Sequence, residues 1–138
     1  MRGFRFAGVA AGLKSAGRDV ALVVNDGPRF DAAAVFTANR VQAAPVRWSR
    51  QVLRSGRVRA VVLNSGGANA CTGPAGFQDT HATAEHLAVA LGIGAGEVAV
   101  CSTGLIGERL PMDRLLAGVS AAVGSLSPDG VPRRPRPS

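Results

Sequence analysis

The chain has 138 residues, enough for one domain with one core. Hydrophobic residues make up 46% and charged residues 18%, which excludes an intrinsically disordered chain. Aromatic residues are only 4%, with no Tyr, so the core is built from Val, Leu and Ala, and few rings are present on which bases could stack.

The net charge is +7, of which residues 129–138 contribute +2 through Arg133, Arg134 and Arg136 against Asp129. Lys14 is the one lysine; such an excess of Arg, Ala and Gly reflects genome composition better than a nucleic-acid surface. Residues 1–13 hold two arginines and no sustained apolar run, unlike a secretory signal. Residues 60–78 lack charge over 19 positions, but four glycines, two asparagines and a proline argue against a membrane span. Cys71 and Cys101 are too few for a secreted disulfide framework, and the expectation is a soluble cytosolic protein.

In chain order, GFRFAGVAAGL (3–13) reads as a loop or edge segment, and DVALVVND (19–26) as a strand ending in a turn at Asp26-Gly27-Pro28. AAAVFTA (32–38) reads as a second short strand. Residues 45–54 form a helix opened by Pro45, with Val46, Ser49 and Leu53 on one face and Trp48 and Val52 beside it. RVRAVVLN (57–64) is the central strand. It runs into NSGGANACTG, a small, polar, glycine-rich turn of the kind at which α/β proteins place sites.

Thr72 is a candidate N-cap for the helix over 74–91, with Pro74 in its first turn. Ala84, Leu87, Ala88 and Leu91 repeat there at helical spacing, while His81, Thr83, Glu85 and His86 fall on other faces. Gly92-Ile93-Gly94-Ala95-Gly96 ends that helix, and EVAVCSTG (97–104) is a strand running into a second small polar turn. Pro111 begins the last helix, whose stripe is Met112, Leu115, Leu116, Val119, Ala122 and Val123. Residues 127–138, SPDGVPRRPRPS, read as a solvated, flexible tail. Strands and helices alternate without an internal repeat or second domain, so the fold class is α/β, with 1–126 as the folded part.

Four chemistries are conceivable for these residues. His81 and His86 are five apart, about 140° around a helix, and do not share an ion as H-E-x-x-H does. No metal site is expected, and His81 with Glu85 reads as a surface pair. GIGAG (92–96) follows a helix and precedes a strand, the reverse of a dinucleotide-binding loop. Cys71 and His81 are too far apart along the helix for a nucleophile–base pair, and both cysteines are expected to be small buried residues. Ser102-Thr103-Gly104 leaves a strand end with backbone N–H groups free to stabilise a developing oxyanion, although a plain connection has the same spacing.

GVAAGLK (8–14), ALVVNDGP (21–28), AAVFTANRVQAAPV (33–46), AVVLNSGGANACTGPAGFQDT (60–80) and VAVCSTGLIGERLPMDRLL (98–116) together resemble the N-terminal part of the α chain of the ornithine acetyltransferase (ArgJ-type glutamate N-acetyltransferase) family. The resemblance implies a layered α/β sandwich with a mixed sheet, incomplete in this chain. It implies transfer of an acetyl group from N-acetylornithine to glutamate in arginine biosynthesis, with acetyl-CoA as a donor in some members and no bound cofactor. In that family a precursor cleaves itself into α and β chains, and the N-terminal threonine of β, activated by its own α-amino group, is the nucleophile. The pair matching the family's oxyanion hole is Thr103-Gly104. Asn64, Gly66 and Asn69 fit the pattern as organisers of the glycine-rich turn, and Gly67, where relatives carry Asn, takes no side-chain role. The implied partner is a β chain, in a higher oligomer; composition argues against a membrane partner and disfavours nucleic acid.

The family-like pattern is read as ending near Leu126, ahead of the cleavage motif and the nucleophilic threonine. A frameshifted or prematurely ended reading frame, or a natural tail on a truncated paralogue, accounts for such a switch in composition. The expectation is a fragment inactive by itself. The alternative from another class is a non-catalytic module or pseudoenzyme whose arginines hold an anionic ligand or nucleic acid.

Overall fold

The structure, a computed structural model, describes residues 2–130. It is an α/β fold with one four-stranded mixed sheet. The strands are β1 (Phe4–Val9), β2 (Val20–Asn25), β3 (Ala60–Gly67) and β4 (Val98–Leu105), in the spatial order β1-β2-β3-β4. The first three pair antiparallel, and β3 pairs parallel with β4. A parallel pair needs a crossover, and α2 (Gly73–Leu91) supplies it. The other helices are α1 (Ala44–Leu53) and α3 (Met112–Gly124).

The core follows from the two-residue period of the strands. Leu22, Val62 and Val100 are aligned across β2, β3 and β4, and all three are buried. Val20, Val24, Ala60 and Val98 extend that face, and Ala84, Leu87 and Ala88 of α2 and Leu115, Val119 and Ala122 of α3 cover it. Fully burying a Leu or Val is worth about 1.5–3 kcal/mol each, so this interface carries most of the stability.

The opposite sheet face is open at its β4 end. Only a small cluster of Val52, Val58 and Ala99, with Trp48, Leu53 and Val61 against it, sits there. Helix α1 reaches it by lying along the outer edge of β4. The Ser49 hydroxyl donates to the Val100 carbonyl (2.7 Å) and accepts from the Val100 N–H (2.9 Å), while the Trp48 indole donates to the Val98 carbonyl (2.9 Å). Side chains of α1 thus satisfy the unpaired edge of β4, which is otherwise a template for pairing with another chain.

Several sequence expectations change. Residues 4–9 form a regular edge strand, because alternation with Val20–Asn25 lets Ala7 turn into the core. Residues 32–38 are not a strand. Val35 is 99% exposed, and the edge of β4 that they would need is occupied by α1, so the segment touches the fold's pairing only at the Asp31–Arg57 bridge. The central strand runs over 60–67 rather than 57–64. Thr72 does not cap α2 with its side chain, which bonds to Asn69 instead. Thr83 is buried, not on an outer face; its hydroxyl is satisfied by the Asp79 carbonyl at 2.8 Å.

Ser127 is also buried, and it pairs with Phe6 in both directions (Phe6 N–H to Ser127 O 2.8 Å; Ser127 N–H to Phe6 O 3.0 Å). The folded part therefore extends past Leu126. The rest of the expected tail, from residue 131 on, lies outside the described residues. No helix of the described residues is long and apolar enough to cross a membrane.

Candidate active site

The glycine-rich turn and the Ser-Thr-Gly segment, thirty-odd residues apart in sequence, are neighbours in the sheet. The parallel register sets Asn64 beside Ser102, Ser65 beside Thr103 and Gly66 beside Gly104. Pairing continues to Gly67 and Leu105, so Thr103 and Gly104 lie inside β4 and not beyond its end. The expectation that the ladder stops there, freeing several N–H groups, is corrected by this register.

A different source of free donors replaces it. Val98 and Val100 turn their backbone groups outward, to α1. By strand alternation the N–H of Gly104 faces the same outer edge, past the reach of α1, whereas that of Thr103 faces β3. Thr103 itself is exposed, on the same sheet face as exposed Cys101, so its hydroxyl and the Gly104 N–H are the two donors this turn offers.

The backbones approach closely because both strands carry glycine there. Gly104 has φ 134° and Gly66 has φ 105°. A Cβ on Gly104 would lie 2.6 Å from the Gly66 carbonyl carbon, and one on Gly66 would lie 2.9 Å from the Leu13 carbonyl oxygen. Only glycine tolerates both the positive φ and the contact.

Asn64 fastens the two strand ends. It is 7% exposed; it accepts from the Ser102 hydroxyl (2.5 Å) and donates to the Gly67 carbonyl (3.2 Å). A Cβ on Gly67 would meet the Leu110 side chain at 2.6 Å, so a relative with Asn there needs Leu110 to move.

Asn69 is fully buried with φ 51°. Its amide donates to the Gly76 carbonyl (2.8 Å) and the Thr80 hydroxyl (2.9 Å), its side-chain oxygen accepts from Thr72 (2.6 Å), and its backbone carbonyl accepts from the Ala44 N–H (3.1 Å). One residue thereby joins the starts of α1, through its backbone carbonyl, and α2, through its side chain. Gly76 is required for it, since a Cβ there would overlap the Thr72 hydroxyl.

Two more carboxylates hold the surrounding loops, and the sequence reading missed both. Buried Asp19 accepts from the N–H groups of Ala11 (2.6 Å), Leu13 (2.7 Å) and Lys14 (3.1 Å), folding residues 10–18 against Gly66. Burial pushes its pKa up, but the backbone N–H groups of Ala11, Lys14 and Leu13 outweigh that, and the net shift is downward. Asp79, with its side chain 8% exposed, holds Arg109 through two bonds of 2.8 and 3.0 Å and anchors the segment after β4 to α2. The hydrogen bond to Asp79 and its charge raise the Arg109 pKa further. A signal for Asp79 was present in the spacing: Thr80 falls in line with Ala84, Leu87 and Leu91, which sets its neighbour Asp79 beside the inner face of the helix.

The cysteines are both exposed, contrary to expectation, because Cys71 sits at φ 58° in the turn before α2 and Cys101 on the open sheet face. His81 lies 3.1 Å from Glu85, as a surface pair, while His86 instead meets the Ser120 hydroxyl of α3 at 2.7 Å.

An apolar groove of about 380 Å3 borders the donors. Residues 32–36 form one wall, Pro45, Val46 and Ser49 of α1 another, and its floor ends at Cys101 and Ser102, next to Thr103.

A mixed sheet with glycine-paired strand ends, and a groove that reaches Ser102 beside them, defines an α/β protein whose candidate site lies at that edge of β4. Comparison with known proteins is specific. The ArgJ family's sequence profile matches residues 5–134, and the chain belongs to that family. The match continues past Leu126, so the family-like pattern does not stop where composition alone placed its end. The chain is 72% identical over 130 residues to the arginine biosynthesis bifunctional protein ArgJ of Streptomyces coelicolor, covering 94% of this chain and 34% of that protein. The corresponding protein of Thermobifida fusca is 70% identical over 129 residues, covering 93% and 34%. The chain therefore spans about a third of the length of these relatives. A crystal structure of ornithine acetyltransferase from Mycobacterium tuberculosis, complexed with ornithine, superposes with a TM-score of 0.90 at 66% identity, over 91% of this chain and 68% of that one. The arginine biosynthesis bifunctional protein ArgJ from Bacillus halodurans gives 0.83 at 39% identity, over 86% and 62%.

Proposed function

We propose that this chain supplies the oxyanion-stabilising part of an acetyltransferase of arginine biosynthesis, which moves an acetyl group from N-acetylornithine to glutamate. What carries the reading is the exposed Thr103 next to Gly104, whose N–H strand alternation turns to the outer edge of β4, with the groove ending at the adjacent Ser102. In the scheme, the nucleophile is the N-terminal threonine of a β chain, as the family resemblance implies. Its oxygen attacks the acetyl carbonyl, and the oxygen of that carbonyl gathers negative charge between the two donors. Ornithine leaves with the proton. The α-amino group of glutamate then attacks the acetyl-threonine through a second oxyanion in the same place and regenerates the hydroxyl. No bound cofactor enters, and acetyl-CoA serves only as an alternative donor. Asn64, Gly66 and Asn69 hold the turn and touch no reacting atom. The β chain and a higher oligomer of the two are the partners.

The test combines this chain with the complementary part of the enzyme and follows acetyl transfer from N-acetylornithine to glutamate. Thr103→Val keeps the shape and deletes one donor, and kcat is expected to fall about 10²–10³-fold with KM little changed. An unchanged kcat removes Thr103 from the site. The chain alone is expected to be inactive, and turnover by it alone would overturn the division of labour. Gly104 is a poorer target, since any side chain there collides with the Gly66 backbone.

A further inference from the structure

A second groove, of about 540 Å3, lies on the other flank of α1, where the N-terminal ends of α1 and α2 come together. Arg40, Gln42, Arg47 and Gln51 line one part of it, and Gly73 and Pro74 at the start of α2 line another; none of its lining residues is acidic. Among the described residues neither the Arg40 nor the Arg47 guanidinium group has a hydrogen-bond or ion-pair partner, although the Arg47 backbone N–H bonds the Ala43 carbonyl. Arg5, Arg29 and Arg109, by contrast, each pair with an aspartate.

The charges in this groove are one-signed from independent sources. Arg40 and Arg47 both line it and no acidic residue does, so its side chains carry positive charge only. Both bordering helices lack a side-chain cap and carry no acid in their first turn. Thr72, the residue placed to cap α2, has its hydroxyl committed to Asn69, so the positive helix end adds to the field of the arginines without supplying the site by itself.

We propose that this groove binds the phosphate or diphosphate group of a small ligand, with Arg40 and Arg47 as the charged donors. The guanidinium fork matches phosphate oxygens in pairs. The primary amides of Gln42 and Gln51 supply further donors, and Val41 and Phe77 leave an apolar wall for the rest of the molecule. The groove shares no residue with the Thr103-Gly104 turn, so the inference stands or falls apart from the acetyl-transfer reading.

The experiment titrates the isotope-labelled chain with inorganic pyrophosphate, inorganic phosphate or glutamate at constant ionic strength, following backbone amide signals. Saturable shifts at Gly73, Ala75 and Gln51 with either phosphate species are expected, with glutamate weaker. Replacing both Arg40→Ala and Arg47→Ala is expected to weaken binding at least about tenfold. Arg54→Ala, at the far end of α1, is expected to leave it unchanged. Both guanidinium groups are exposed and unpaired, so the double variant keeps its fold, which its remaining signals report directly. A preference for pyrophosphate identifies a diphosphate ligand, and equal binding a single phosphate. Absence of saturable shifts, an equal loss in Arg54→Ala, or glutamate binding as tightly as pyrophosphate would overturn the proposal.

Discussion

Asn69 and Asp19 show how single side chains hold the site's surroundings. Asn69 is fully buried and each of its side-chain polar groups is used. Asn69→Ala leaves the Thr80 and Thr72 hydroxyls and the Gly76 carbonyl short of a partner and places alanine at φ 51°. A loss of about 2–4 kcal/mol is expected, read from the urea midpoint at constant slope. Asp19 makes stability depend on pH. Its folded pKa lies below its unfolded value, so its contribution is complete above the unfolded carboxylate pKa of about 4 and is lost as pH falls through the folded pKa. Asp19→Asn is expected to be less stable than the parent at neutral pH, and the gap in urea midpoint should close as the solution is acidified below about pH 4. A gap that stayed constant would show that the carboxylate's charge is not what the three N–H groups recognise.

Among the elements, α1 has the least ordinary role. It does not merely cover a face of the sheet; it satisfies the outer edge of β4 through Ser49 and Trp48 and stops short of Gly104. Ser49→Ala orphans both the N–H and the C=O of Val100, at a cost of about 1–3 kcal/mol. Hydrogen exchange at the Val100 amide is the sharper readout, and it should accelerate well beyond that of Leu22 in the sheet's interior. The same arrangement explains why residues 32–38 fail to form a strand: their sequence permits extended backbone, but the stretch of β4 edge at Val98 and Val100 is taken by α1.

For the molecule as a whole, the two faces of the sheet are unequal. Helices α2 and α3 seal one, whereas the other carries the apolar groove, with exposed Val35 on its wall, Leu105 exposed at the last position of β4 and Ile106 exposed just beyond it. Apolar area of this kind marks an interaction surface. The isolated chain is expected to enhance the fluorescence of a hydrophobic dye, and the complementary part of the enzyme should suppress that signal if it covers this face. Persistence of the full signal in the complex would place the contact elsewhere.

Much of this was legible in the residues. The alternation of β2 and β3, the apolar stripes of α2 and α3 and the long motifs around Asn64, Asn69 and Thr103 pointed to the class and the family, because periodicity and local turn chemistry are written in neighbouring positions. The sequence by itself determined the apolar stripes of α2 and α3, where the helices lie and which turns are polar and glycine-rich. It could not show that Gly66 and Gly104 face each other, that Asp19 folds a loop onto Gly66, that Asp79 holds Arg109, or that both cysteines are exposed. Those depend on register and on which strand edge remains open, both set by contacts between distant segments. Only the tertiary structure decided that Thr103 and Gly104 lie within a paired strand, and that α1 bonds the outer edge of β4 at Val98 and Val100, upstream of Gly104.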